Sequence, residues 1–282
     1  MIISKVFLVS IHAIYKHFPT LVILIGAIFA SGCSDWSTKN TLLDIRVELW
    51  YEQQALSCGQ SIERDRLNWG IDQLAFFISD LHLVQSAKKL PLTLSINEWQ
   101  NDNLALIRLA AADCKQEKLE SEDNKEALLP FQTLHLTQQV ELTQESELHF
   151  TIGLPFAVNH LNPLSQTSPL NMPSMFWSWR GGHKFFRLDM AGEGQAWTFH
   201  LGSTGCESPS VMRSPQAACV NPNTVPLSLV KRQDGQRIII HIDKLLEGLE
   251  LNTKSSCLMQ PDKTSCQQLM LNLATNAVFE WR

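Results

Sequence analysis

Six side chains that could carry chemistry are concentrated in residues 175–206 of this 282-residue chain. They are three tryptophans, two histidines and a cysteine: Trp177, Trp179, Trp197, His183, His200 and Cys206. Neutral imidazole is a ligand for copper, zinc, iron and nickel, whereas an unmodified indole offers an N–H donor and no lone pair for a metal. The segment is therefore either ordinary core or a site that uses its tryptophans in an unusual way.

His160 and His200 are the histidines whose positions fit a metal site best. His160 follows Asn159 at the end of a predicted strand, and His200 ends the strand-like AWTFH and precedes a Gly-Ser-Thr-Gly turn. Because loops on a rigid scaffold carry a large share of binding sites, both are candidate metal ligands. The alternative is that each histidine only hydrogen-bonds a turn. His183 falls in a Gly-Gly-His turn and is predicted to be exposed.

The W-x-W pattern of Trp177 and Trp179 places both rings on one face if the segment is extended, since side chains alternate along a strand. Two indoles on one strand face usually belong to a core. Two functional alternatives are open: an aromatic platform for sugar rings, helped by Arg180, or a redox-active pair near a metal. The sequence contains no nucleophile elbow, metalloprotease helix, EF-hand loop or P-loop, so we do not expect an enzyme.

The elements that must position these residues are mainly strands. Eight segments alternate with period two or run short and apolar between turn signals, as strands do: 43–51, 73–84, 104–109, 147–154, 184–189, 196–201, 227–231 and 237–242. Helices are predicted only at 125–129, at 244–249 with Asp243 as its cap, and at 266–274. The pattern predicts a mainly β fold, an antiparallel β-sandwich or barrel-like domain with long loops and few short helices.

The first 32 residues predict an export signal. Basic residues precede an apolar run at 21–30, which ends in small residues before Cys33. The run is shorter than the roughly 20 residues that span a bilayer. The small residues resemble a bacterial lipobox, with Ala30 where Leu is usual, so Cys33 is predicted to be lipidated. A soluble secreted protein and an uncleaved anchor are the alternatives.

These observations predict three parts of the chain: a signal peptide at 1–32, a lipidated tether at 33–40 and a single β domain at 41–282. The predicted location is the cell envelope, as a periplasmic lipoprotein on a bacterial membrane. The net charge of −5 and the scattered Lys and Arg give no electrostatic support for nucleic-acid binding.

Export to an oxidising compartment makes disulfides the expected state of the six other cysteines. None of their spacings is the C-x2-C of a zinc ribbon, a redox motif or a haem attachment site. Of the pairings that six cysteines allow, nearness in sequence favours Cys206–Cys219 and Cys257–Cys266, which leaves Cys58–Cys114.

Four motifs of the chain together resemble the bacterial MbnP-like family, also described as the metallo-mystery-pair four-Cys motif proteins. They are FFISDLHLV (76–84), NH (159–160), MFWSWRGGHKFFRLDM (175–190) and FHLGSTGC (199–206). The most specific parts are W-x-W-x-x-G-x-K-F-x-R-x-D and F-H-L-G-S-T-G-C. The cysteines at 58, 114, 206 and 219 also fall where that pattern has them, while His183 stands where the family more often has Tyr.

The resemblance implies an exported, mainly β, copper-binding protein whose partner is a dihaem cytochrome of the MbnH type, related to bacterial dihaem peroxidases. In that system the partner oxidises a tryptophan to kynurenine, and the new aniline nitrogen joins histidines in a copper site. By position, His160 and His200 match the motif histidines, and either Trp177 or Trp179 is the tryptophan to be modified. The implied role is copper binding, storage or transport. The alternative is a metal-free envelope module that recognises a glycan or a protein through Trp177 and Trp179.

Overall fold

Strands form where the sequence alternates between apolar and polar residues or runs apolar over a short distance. The structure is a computed structural model that describes residues 42–112 and 128–282. The predicted signal peptide, the tether with Cys33, Cys114 and residues 125–127 of a predicted helix lie outside the described residues. The strands are β1 Leu42–Tyr51, β2 Gln54–Ala55, β3 Ile62–Arg64, β4 Leu67–Gln85, β5 Lys88–Pro91, β6 Gln100–Asn101, β7 Leu104–Leu109, β8 Phe131–Gln139, β9 Glu147–Ile152, β10 Phe176–Ser178, β11 Gly182–His183, β12 Phe186–Gly192, β13 Gln195–Leu201, β14 Val225–Val230, β15 Arg237–His241, β16 Cys257–Leu258 and β17 Phe279–Trp281.

The helices of the described residues are few and short. They are α1 Phe156–Asn159, α2 Ile242–Leu245 and α3 Thr264–Leu273, with 3-10 turns at Pro163–Ser165 and Pro173–Met175. α3 confirms the helix predicted at 266–274. The prediction that Asp243 caps a helix at 244–249 was wrong, because β15 runs directly into α2 and places Asp243 inside the first turn. In the described ranges, no helix is long and apolar enough to cross a membrane.

Two sheets carry most of the fold. In the larger sheet, β4 pairs with β12 through residues 70–76, with β7 through 74–79 and with β9 through 78–84. β4 reaches this many partners because it is 19 residues long. β13 extends the sheet beyond β12, and β14 extends it beyond β9. The smaller sheet has the order β17-β15-β1-β2, with β8 also paired to β1.

The prediction of a mainly β, sandwich-like domain with few short helices is confirmed, but the sheets are mixed rather than purely antiparallel. β1 pairs with β15 in parallel, and β13 pairs with β16 in parallel. Alternation of side chains indicates a strand but not its direction, so the sequence could not show these pairings. The second parallel pair matters for the site, because it brings residues 257–259 to the end of β13.

One apolar core contains residues from both sheets. Phe279 of β17 contacts Phe76 of β4 and Phe150 of β9, with ring centroids 5.9 and 6.0 Å apart. Full burial of one such side chain contributes about 1.5–3 kcal/mol to stability. The described residues all belong to one compact unit, Asn40–Arg282. The larger sheet is therefore a rigid support for the loops at the ends of its strands.

Two predicted disulfides are confirmed, Cys206–Cys219 and Cys257–Cys266. Cys58 is also disulfide-bonded, and its predicted partner lies outside the described residues. Cys206–Cys219 closes the loop after β13, and Cys257–Cys266 connects β16 to α3. Both bridges therefore fasten segments close to the end of β13.

Candidate functional site

Asn159, the last residue of α1, holds the β10–β11 hairpin against the end of β13. Its Oδ1 accepts a hydrogen bond from the His183 backbone N–H at 2.8 Å, and its Nδ2 donates to Ser203 Oγ at 3.3 Å. Gly182 makes the approach possible, because it has φ +73° and a Cβ there would lie 2.6 Å from Asn159 Oδ1. The hairpin that carries Trp177 is thus fixed to the larger sheet by buried polar contacts.

His183 is fully buried, so the prediction that it is exposed was wrong. Its Nδ1 lies 2.8 Å from the Asn159 carbonyl oxygen, and its Nε2 lies 2.9 Å from the Leu170 carbonyl oxygen. Burial lowers the pKa of His183. Because both ring nitrogens face carbonyl oxygens, His183 connects two loop segments and presents no free lone pair to a metal. The Gly-Gly-His sequence is typical of an exposed turn, but Asn159 and Leu170 contact the ring of His183. The rings of Phe77 and Phe176 also pack against it, with centroids 5.6 and 5.1 Å away.

His200 lies on β13 beside Asp189 and Arg187 of the neighbouring β12. Its Nε2 is 2.8 Å from Asp189 Oδ1, and Arg187 Nε donates to Asp189 Oδ2 at 2.5 Å. Burial raises the pKa of Asp189, but the hydrogen bond and charge of His200, with those of Arg187, outweigh burial and hold this pKa below its usual value. A carboxylate only accepts hydrogen bonds, so Nε2 is the protonated nitrogen. In the neutral form of the ring, the lone pair is therefore on Nδ1.

The Trp177 ring lies against the backbone that follows His200. A Cβ on Gly202 would be 2.7 Å from Trp177 Cζ3, so the glycine permits the close approach. Met259 reaches the same point from the end of β16, where its Sδ is 3.2 Å from the Gly202 backbone nitrogen. His200 and Gly202 are two residues apart, so in extended chain they face the same side. Trp177 and Met259 therefore both contact Gly202, two residues after His200 at the end of β13.

The two tryptophans of the W-x-W pattern differ in their surroundings. β10 ends at Ser178, whose Oγ accepts a hydrogen bond from the Gly181 N–H at 3.0 Å, so Trp179 lies in a turn rather than in the strand. Trp177 is 37% exposed, whereas Trp179 is half-buried. Trp197 of β13 is fully buried and donates its Nε1–H to Ser255 Oγ at 3.0 Å, as a core residue does.

His160 occupies a different environment from His200. Its Nδ1 is 3.3 Å from the Trp179 carbonyl oxygen, and its Nε2 is 3.1 Å from Asn159 Nδ2 and 3.5 Å from Cys219 Sγ. Burial lowers the pKa of His160. Within the described residues, no hydrogen bond, ion pair or ring contact joins His160 to His200. The structure thus places Trp177 at Gly202, two residues after His200, and places His160 beside the Cys206–Cys219 disulfide.

Met259 and Asp189 are the site residues that sequence reasoning missed. Met259 has no motif around it, and only the parallel pairing of β13 with β16 brings it to Gly202. Asp189 is part of the W-x-W motif, but its role depends on the antiparallel register that sets β12 against β13. The alternation of both strands could have suggested the Asp189–His200 contact, whereas no sequence signal indicated Met259.

Comparison with known proteins adds an independent observation on the fold. A family model described as MbnP matches residues 40–260. Among solved structures, MbnP from Methylosinus trichosporium matches with a TM-score of 0.65 at 20% sequence identity. The alignment covers 81% of this chain and 86% of that one. No curated protein sequence matches the chain.

Proposed function

Because the chain belongs to the MbnP family, we propose that it is an exported copper-binding protein that binds, stores or carries the metal. Copper is cargo in this proposal, so the chain acts as a binding protein rather than as an enzyme. The observation that supports the site best is that Trp177 and Met259 both contact Gly202, two residues after His200 at the end of β13.

The chemistry of the available donors fits copper. His200 directs Nε2 to Asp189, which leaves Nδ1 for a metal, and histidine ligands are commonly oriented by such a carboxylate. Met259 contributes a thioether, a soft ligand that selects Cu(I). His200 would hold the ion as an imidazole and Met259 would hold it as a thioether.

Trp177 would supply the third ligand after oxidation. Its indole has no lone pair for a metal, but cleavage of the C2–C3 bond with addition of two oxygen atoms gives N-formylkynurenine. Two molecules of hydrogen peroxide can supply these atoms and leave two molecules of water. Hydrolysis then releases formate and leaves an aniline amine with a lone pair. A dihaem cytochrome of the MbnH type, related to peroxidases, is the proposed partner for the oxidation.

Position favours Trp177 over Trp179 as the residue to be modified. The Trp177 side chain is 37% exposed and lies on Gly202, next to Met259. Trp179 is half-buried, and its backbone carbonyl oxygen contacts His160. The product amine of Trp177 would therefore be formed near Gly202, where Met259 also lies, two residues after His200.

His160 was predicted as a second histidine ligand of the same site. Its contacts are with Asn159, the Trp179 carbonyl and Cys219. We therefore assign His200 to the proposed copper site and do not include His160 in it. Export by residues 1–32 and lipidation at Cys33 are part of the proposal. They would hold the domain in the periplasm at a bacterial membrane.

The proposal is tested by the copper content of protein co-produced with the dihaem cytochrome. Trp177→Phe removes the source of the amine, His200→Ala removes the imidazole, and Met259→Leu removes the thioether while keeping side-chain volume. Each variant should hold much less copper than the parent. His135→Ala is the control, because this exposed histidine pairs with Asp44 on another strand. A Trp177→Phe variant that retains the copper content of the parent would contradict the proposal.

A further inference from the structure

A second cluster of metal-ligating atoms lies at His160, outside the proposed copper site. One ring nitrogen of His160 and the sulfurs of Cys206 and Cys219 all lie within 4.8 Å of one another. In the described part of the chain, no other group of three or more His, Cys, Asp and Glu side chains meets this condition. One imidazole and two thiolates form a donor set suited to zinc and Cu(I).

The hydrogen bonds of His160 place its lone pair on the ring nitrogen that lies next to Cys219. The Trp179 carbonyl oxygen, 3.3 Å from Nδ1, can only accept a hydrogen bond, so Nδ1 carries the proton. Nε2 therefore accepts a hydrogen bond from Asn159 Nδ2 at 3.1 Å, with Cys219 Sγ 3.5 Å away, and a metal ion would replace the amide at this lone pair. Metal-binding histidines are commonly oriented by a carbonyl on their other nitrogen in this way.

Backbone contacts hold the two cysteines together independently of the bond between their sulfurs. Thr204 and Asn221 exchange two backbone hydrogen bonds, of 2.9 and 3.0 Å, and the Val220 N–H donates to the Gly205 carbonyl at 3.2 Å. These residues adjoin Cys206 and Cys219 in sequence. The two thiols would therefore stay close to each other and to His160 after reduction.

We propose that His160, Cys206 and Cys219 form a redox-conditional binding site for a thiophilic metal ion of the Zn(II) or Cu(I) class. While the disulfide is intact, the sulfurs are bonded to each other and the site is closed. Reduction opens it, because two thiolates and the His160 imidazole then become available together. This site is separate from the one proposed at Trp177, and neither depends on the other.

The reductant required is a dithiol. Cys206 is partly exposed and Cys219 is buried, so the first thiolate of the reductant attacks Cys206 Sγ. The bond between the two sulfurs breaks, and Cys219 leaves as a thiolate beside His160. The second thiolate of the reductant then displaces Cys206 and forms the disulfide of the oxidised reductant. The two protons of the dithiol pass to Cys206 and Cys219, and metal binding releases them to solvent.

The test uses Cd(II), a thiophilic probe, with full-length protein reduced under anaerobic conditions. Binding is followed by the thiolate-to-cadmium charge-transfer absorption. A Trp177→Phe background removes one of the three ligands of the proposed copper site. Reduced protein should bind one Cd(II) ion at this site, and oxidised protein should show no charge-transfer absorption. His160→Ala should weaken binding about tenfold or more, since even loss of an outer-shell partner costs about 10–100-fold in metal affinity.

Matched cysteine pairs provide the control. Cys257→Ser with Cys266→Ser removes a bridge whose Cys266 sulfur lies 3.9 Å from Gln260 Oε1. Among the described residues no hydrogen bond joins this bridge to a histidine, so binding at His160 should persist. Cys206→Ser with Cys219→Ser should abolish that binding. Equal Cd(II) affinity of both double variants in the reduced state would overturn the proposal, and so would an unchanged affinity in His160→Ala.

X-ray absorption spectroscopy on the reduced, Cd(II)-loaded Trp177→Phe protein gives a test that needs no cysteine or histidine variant to fold. We expect cadmium to have two sulfur neighbours and at least one nitrogen neighbour. A first shell of oxygen and nitrogen alone, or of sulfur alone, would overturn the proposal. Because Trp177 is absent, neither result bears on the proposed copper site.

Discussion

The three histidines of the candidate region, His160, His183 and His200, differ in the hydrogen-bond partners of their ring nitrogens. His183 has both nitrogens against carbonyl oxygens, His200 gives Nε2 to Asp189, and His160 gives Nδ1 to the Trp179 carbonyl. Residue type alone made all three possible ligands. Their hydrogen-bond partners give His183 a structural role, while His160 directs its Nε2 lone pair to Asn159 Nδ2 and His200 directs only Nε2 to Asp189.

Among single residues, Asp189 should affect copper binding through His200. Asp189→Asn should lower the copper affinity about 10–100-fold, because loss of a residue that orients a metal-binding histidine has an effect of this size. The carboxylate fixes the tautomer and orientation of His200 through the 2.8 Å hydrogen bond. A competition titration with a copper chelator measures the change. Asp44→Asn, which alters the exposed Asp44–His135 pair, is the matched control and should leave the affinity unchanged. Equal losses in both variants would contradict the assigned role of Asp189.

Asp189 should also contribute to the pH dependence of stability. Its pKa is lowered in the folded protein, so its contribution is fully present above the ordinary pKa of 3.8 and is lost as the pH falls through the lowered value. Urea unfolding measured from neutral pH down to about pH 2 should show a smaller loss of unfolding free energy on acidification in Asp189→Asn than in the parent. Parallel pH profiles for the two proteins would show that the pKa of Asp189 is not lowered by folding.

At the scale of elements, the β10–β11 hairpin depends on one asparagine of α1. Asn159 contacts the His183 backbone, Ser203 and His160, which joins the hairpin, the end of β13 and α1. The sequence pattern predicted a strand before Asn159, at 147–154, and a strand after it, at 184–189. It gave Asn159 no role beyond its position next to His160. The irregular stretch between β9 and β10 has no periodicity, so nothing in it indicated which side chain fixes its position.

Asn159→Ala should lower the free energy of unfolding by about 3 kcal/mol. It leaves the buried His183 N–H without its acceptor, and each buried polar group that loses its partner costs about 1–3 kcal/mol. Asn101→Ala is the control: Asn101 Oδ1 accepts from two backbone N–H groups in a turn far from the site in sequence, and a smaller loss is expected. Chemical denaturation measures both values. A loss for Asn159→Ala no larger than that for Asn101→Ala would argue against this role.

At the scale of the whole molecule, the mainly β fold and two of its disulfides followed from alternation and cysteine spacing. The segment at 104–109 matches β7 residue for residue, and 43–51 matches β1 with one residue added. β8 and β17 were missed, because β8 is rich in Gln and Thr and β17 has three residues. The parallel pairings and the convergence at Gly202 depend on long-range register, which local patterns do not report.

The disulfide beside His160 should stabilise the whole fold without being essential to it. Cys206 and Cys219 are 13 residues apart, and closing a loop of this length stabilises the native state by about 3 kcal/mol. The Cys206→Ser, Cys219→Ser variant should therefore keep the circular dichroism spectrum of a β protein, with an unfolding free energy lower by about that amount. Loss of the β spectrum in this variant would show that the backbone contacts around the bridge do not hold the fold by themselves.

The most direct test of the central claim, that Trp177 becomes part of a copper site, is peptide mass spectrometry of protein co-produced with the dihaem cytochrome. Fragment ions must separate Trp177 from Trp179, which is two residues away. The account predicts that Trp177 gains one oxygen and loses one carbon, as conversion to kynurenine requires, while Trp179 and the buried Trp197 and Trp281 keep their original masses. An unmodified Trp177 in protein that binds copper would contradict the account.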